Sequence, residues 1–122
     1  MAKKEIQWLD KPRDTNFPAA QPYLTLCFPE KKAKSFVKKL KAAPMMTFKA
    51  KDIFRASRLN LLGLKNKHVD ANMDKIENGE ELSPILLVRD SLSNRVIIAD
   101  GYHRLSAVYA LSEDADIPCK IV

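Results

Sequence analysis

SPILLVRDSLSNRVIIADGYHRLSAVYAL, residues 83–111, is the stretch whose reading decides the fold. SPILLVRD and RVIIAD are short, nearly continuous apolar runs bounded by turn-forming residues, the pattern of well-buried strands. Ser91 to Asn94 make a turn between them, so the two runs pair as a hairpin. GYHRLSAVYALSED then changes to helical spacing, with Leu105, Val108 and Tyr109 on one side and Ala107 and Leu111 beside it. The join from strand to helix is Asp100-Gly101. His103 and Arg104 fall in the first helical turn, where the macrodipole disfavours a cation by about 0.3–1 kcal/mol.

A bound anion removes that conflict. Glycine lets the chain turn sharply and lets a ligand approach the backbone. The exposed N–H groups of a first helical turn make an anion site, usually for phosphate. An arginine fork grips phosphate in bidentate fashion, and His103 and Arg104 would converge on the same group. Two plainer readings stand beside this one. Asp100 serves as an N-cap accepting from a backbone N–H, or Asp100 and Arg104, spaced i, i+4, form an ordinary surface ion pair.

Working outward, ADIPCKIV closes the chain as a final strand. Upstream, VDANMDKIENG has helical spacing through Val69, Met73 and Ile76, and Asn78-Gly79 is a helix stop. RLNLLGLKNKH has no clean period and reads as an ordered loop in which Gly63 allows a sharp turn. FKAKDIFRAS, residues 48–57, is expected as a short helix with Ile53 and Phe54 inward. EKKAKSFVKKLKAA is an amphipathic helix opened by Pro29-Glu30, burying Ala33, Phe36, Val37 and Leu40 and ended by Pro44. PYLTLCF, residues 22–28, alternates and is rich in β-formers, which predicts a strand. Residues 1–19, punctuated by Pro12, Asn16 and Pro18, are expected as a flexible basic tail, with Trp8 packing back on the domain or on a partner. The resulting class is α+β: one domain over residues 20–122, a small mixed sheet flanked by helices.

A chain of 122 residues suits one domain and can bury a core without metal or disulfide support. No apolar run approaches the roughly 18 residues needed to span a bilayer. MAKKEIQWLDKPRD lacks the apolar segment of a secretory signal, so the expected compartment is the cytoplasm and no membrane partner is expected. Cys27 and Cys119 lie in apolar stretches and read as small buried hydrophobes of a reducing compartment, with a disulfide or reactive thiol as the alternative. Two cysteines and two histidines at scattered spacing do not make a zinc site. The net charge of +6 is uneven: residues 1–51 hold 12 Lys and Arg against 4 Asp and Glu, and residues 52–122 hold 9 against 11. The basic half, above all Lys31, Lys34, Lys38 and Lys41, is either a surface for nucleic acid or a solvated lysine face.

The stretch from Asp70 to Val122 resembles the N-terminal domain of ParB, the chromosome- and plasmid-partition protein, and the related sulfiredoxin fold, including stand-alone ParB-like domain proteins. The resemblance rests on MDKIENGEEL, SPILLV, RVIIAD, GYHRLSAVYAL and IPCKIV in that order. KAKDIFRAS joins it loosely and the first 45 residues do not. In that superfamily a Gly-x-x-Arg box opens a helix that holds nucleotide phosphates: CTP in ParB-type proteins, ATP in sulfiredoxins, an adenine nucleotide in a free-serine kinase. The resemblance implies phosphate contacts from Gly101, the Tyr102 amide, His103 and Arg104. It places Asp100 near Mg²⁺ or an acceptor, and Asp100 and His103 are the candidate catalytic residues. A basic residue of the family's corresponding region reaches the nucleotide, which implies Arg55 and Arg58. From the residues themselves, His68 lies just before a helix whose start faces the same cleft, and reads either as a second phosphate or base contact together with Asn66 and Lys67 or as a surface histidine with no task. Tyr102 stands where sulfiredoxins carry their catalytic cysteine, so sulfinic acid reduction is not expected. The chain stops at Val122 without a helix-turn-helix, so site-specific DNA clamping is not expected either.

The expected function is therefore a small nucleotide-binding protein taking CTP or ATP with Mg²⁺, with slow nucleotide hydrolysis or phosphoryl transfer as its chemistry. The alternatives are a non-specific nucleic-acid binder acting through the basic half, or an adaptor without catalysis that binds a protein partner or a second copy of itself.

Overall fold

The computed structural model describes residues 5–59 and 66–122. In chain order the elements are α1 (Asn16–Cys27), α2 (Glu30–Ala42), β1 (Met46–Lys49), α3 (Ala50–Ser57), α4 (Lys67–Glu77), β2 (Ile85–Asp90), β3 (Arg95–Asp100), α5 (Tyr102–Leu111) and β4 (Asp116–Ile121). Gly63 lies outside the described residues.

The two apolar runs pair antiparallel as β2 and β3, with an irregularity between Leu86 and Leu87. Asn94 closes their turn at φ 55°, a left-handed conformation that asparagine tolerates. β4 returns parallel to β2, with Ile85 opposite Cys119, and β1 pairs antiparallel with β4. The strand order is β1-β4-β2-β3. β2 is thus central and covered on both faces, which is why Ile85 to Val88 read as an unbroken apolar run.

Each face has its own core. Leu86, Val88, Ile97 and Ala99 pack with Phe17, Ala20 and Leu24 of α1 and Ala33, Val37 and Leu40 of α2. Ile85, Leu87, Ile98, Ile117 and Cys119 pack with α3, α4 and α5 through Phe54, Val69, Ile76, Leu105 and Val108. The α+β class and the mixed sheet flanked by helices are as expected. Burial in the second core pushes the Cys119 thiol up to about 11. Cys27, half-buried beside the first core, is also a free thiol.

Three expectations need correction. PYLTLCF is not a strand but the second half of α1. A helical stripe, Phe17-Ala20-Leu24, runs through the prolines, and its packing on the sheet outweighs the local alternation of residues 23–27. Residues 5–19 do not hang free as a tail. The Leu82 N–H donates to the Gln7 carbonyl at 2.8 Å, the Leu9 N–H donates to the Leu82 carbonyl at 2.9 Å, and Trp8 packs against the second core. The boundary drawn at residue 19 falls inside α1. Phe48 and Lys49 belong to β1 and not to the helix that follows them, because β4 offers the residue pairs Phe48–Ile117 and Lys49–Asp116. Among the described residues no helix is long and apolar enough to cross a membrane.

Candidate functional site

The site is built where β3 ends. Gly101 takes φ 106°, outside the reach of most L side chains, and a Cβ there would collide with the Ile85 side chain and lie 2.9 Å from Arg104 Nη2. Glycine is required by both conformation and space. α5 starts at the next residue, without a side-chain cap.

Arg104 turns back beneath this start. Nη2 donates to Asp100 Oδ2 at 2.8 Å and to the Pro84 carbonyl at 3.3 Å, and Nε donates to the Ser83 carbonyl at 2.9 Å. The Arg104 and Asp100 side chains are only 17% and 16% exposed. The i, i+4 pair drawn from the sequence therefore exists, but as a mostly buried clamp and not a surface bridge. Ser83 and Pro84, whose carbonyls complete the clamp, carried no signal in the sequence beyond their place before an apolar run.

His103 points elsewhere. Its ring lies 4.8 Å from that of His68, centroid to centroid, with the planes at 51°. His68 is the second residue of α4, whose start is capped by Asn66: the Asn66 Oδ1 accepts from the His68 and Val69 N–H groups. Two helix N-termini thus meet across a pair of histidines. Burial holds the His103 pKa below its ordinary value, and the charges of His68 and Arg104 push it the same way. Tyr102 sits between His103, at 6.0 Å, and the edge of Phe54 of α3, at 6.3 Å.

No family model, curated protein or solved structure matches this chain.

The fold brings Gly101, Tyr102, His103 and His68 together, with Asp100 and Arg104 clamped behind them. Arg55 and Arg58 are not joined to the histidine pair by any hydrogen bond or ion pair among the described residues. Arg55 faces Asp52 at 3.7 Å on its own helix, and Arg58 is the exposed left-handed C-cap of α3. Lys31, Lys34, Lys38 and Lys41 are exposed on α2, the layer across the sheet from the histidines, and Lys34 pairs with Glu30 at 3.2 Å. Asp100 fits the role of a metal ligand poorly, because Arg104 already engages its carboxylate. Among the described residues no three His, Cys, Asp or Glu side chains cluster as a metal site.

Proposed function

We propose that the chain is a small nucleotide-binding domain that holds the phosphates of CTP or ATP between the first turns of α4 and α5. The observation that carries this reading is the His68–His103 pair, 4.8 Å apart, at the meeting of two helix starts. Both helix dipoles favour an anion there. An imidazole N–H donates to a phosphate oxygen, and burial, helped by the charges of His68 and Arg104, favours the neutral form of His103. Arg104 acts as a positioning residue, fixing the first turn of α5 through Asp100 and the carbonyls of Ser83 and Pro84. Neutral His103 is the group suited to accept a proton from an attacking hydroxyl. Asp100 is not, being committed to Arg104. Mg²⁺, where present, would arrive on the nucleotide phosphates, since the described residues offer it little.

Calorimetric titration of CTP and ATP, with and without Mg²⁺, into the wild type, His68→Ala and His103→Ala tests the reading. Saturable heat in the wild type, lost in both variants, supports it. Equal heats in all three proteins, or none in any, overturn it.

One observation favours a second reading. Lys31, Lys34, Lys38 and Lys41 are all exposed on the outer surface of α2, a cationic ridge suited to a phosphate backbone. Fluorescence anisotropy with duplex DNA at two salt concentrations measures this. Backbone binding loses about 0.9 in log K per log salt for each phosphate contacted, and folded protein that binds nothing at low salt ends it.

A further inference from the structure

A polar cleft lies at the opposite end of α4 from His68. Its volume is about 670 Å³, and its walls include Arg13, Asn16, Lys75, Glu80, Glu81 and Arg104. His68 and Lys75 are seven residues apart on α4, so the cleft starts about 10 Å from the histidine pair. The walls are tied down. The Arg13 backbone N–H donates to Asn16 Oδ1 at 2.9 Å and to Ser83 Oγ at 3.2 Å, and Ser83 Oγ donates to Asn16 Oδ1. The Glu80 N–H donates to the Lys75 carbonyl at 2.9 Å.

Two donors are left over. A guanidinium has five N–H groups. The clamp uses Nε and Nη2 of Arg104, and Nη1 has no protein acceptor among the described residues. Asn16 is oriented by the two donors on its Oδ1, which leaves both N–H groups of its Nδ2 unclaimed. Both groups belong to residues of the cleft wall and are not sealed from solvent, so a carboxylate, with two acceptor oxygens, can replace water on them. The charges narrow the choice further. Arg13 and Lys75 line the cleft as cations and Glu80 and Glu81 as anions, while Asp100 balances Arg104. A simple anion meets repulsion from the glutamates, and a simple cation meets it from Arg13 and Lys75.

We propose that this cleft binds a small zwitterion, its carboxylate held by Arg104 Nη1, Asn16 Nδ2 and Arg13, its ammonium by Glu80 and Glu81. The site stands apart from the nucleotide reading and does not need it.

Thermal shift and calorimetry on the full chain test it with three probe series of matched length: ω-amino carboxylates from glycine to 6-aminohexanoate, dicarboxylates to adipate, and diamines to 1,6-diaminohexane. One ω-amino carboxylate is expected to bind and to raise the melting temperature by mass action, ahead of its dicarboxylate and diamine counterparts. Arg13→Ala keeps the backbone bonds of residue 13 and is expected to weaken binding by about tenfold or more. The Glu80→Gln/Glu81→Gln double variant is expected to shift preference from the amino carboxylate to the dicarboxylate. Wild-type preference for dicarboxylate or diamine, or no response to any series, overturns the proposal.

Discussion

Arg104 and His103 are neighbours in sequence, yet they face different partners, and their substitutions should read differently. Arg104→Ala leaves Asp100 mostly buried without its counter-charge and removes the donor from two carbonyls. Breaking one side of such a pair costs about 3–5 kcal/mol, a loss that urea denaturation would show as a lowered midpoint. His103 sets a pH dependence instead. Its folded pKa lies below the unfolded value of 6.5, so between the two the unfolded chain binds more protons. The associated stability is full above pH 6.5 and is lost as pH falls through the folded value. Denaturation midpoints measured from pH 7.5 to 5 should decline, and His103→Gln should flatten the decline. The clamp was partly legible in sequence, because Asp100 and Arg104 are one helical turn apart. Of the histidine pair, the sequence offered both members as candidate contacts at one cleft but not their contact: His68 and His103 sit on different elements, and the packing of α4 against α5 brings their rings together.

Among the elements, α1 shows where local pattern fails. Residues 23–27 alternate as a strand does, and Pro18 and Pro22 argue against a helix, yet Phe17, Ala20 and Leu24 line the sheet at helical spacing. The tertiary contact wins because β2 and β3 expose Leu86, Val88, Ile97 and Ala99 on a face that α2 shares with α1. Leu24→Ala should therefore cost about 2–5 kcal/mol. Leu26→Ala, at a side chain 85% exposed, should stay within about 0.5 kcal/mol of wild type. Were PYLTLCF a strand, residues 24 and 26 would point to the same side and the two variants would behave alike. Chemical denaturation of both separates the outcomes. β2, β3, α2, α4 and α5 were readable because burial and periodicity agree in them. β1 was not, because four residues of mostly exposed edge strand carry almost no pattern.

Across the whole molecule, the sheet separates two surfaces of different chemistry. α2 and its lysines lie on one side, and the starts of α4 and α5 on the other. Changing Lys31, Lys34 and Lys38 together to alanine should abolish any salt-sensitive binding of duplex DNA and leave nucleotide titration unaltered, while His68→Ala should do the reverse. Anisotropy and calorimetry on the two proteins check this.

Cys119 gives the chain an internal clock. Its sulfur is sealed in a central strand and its thiolate is scarce at neutral pH, so iodoacetamide should add quickly to Cys27 alone. The second adduct, followed by intact mass, should appear only as the sheet comes apart, at a rate that climbs with urea.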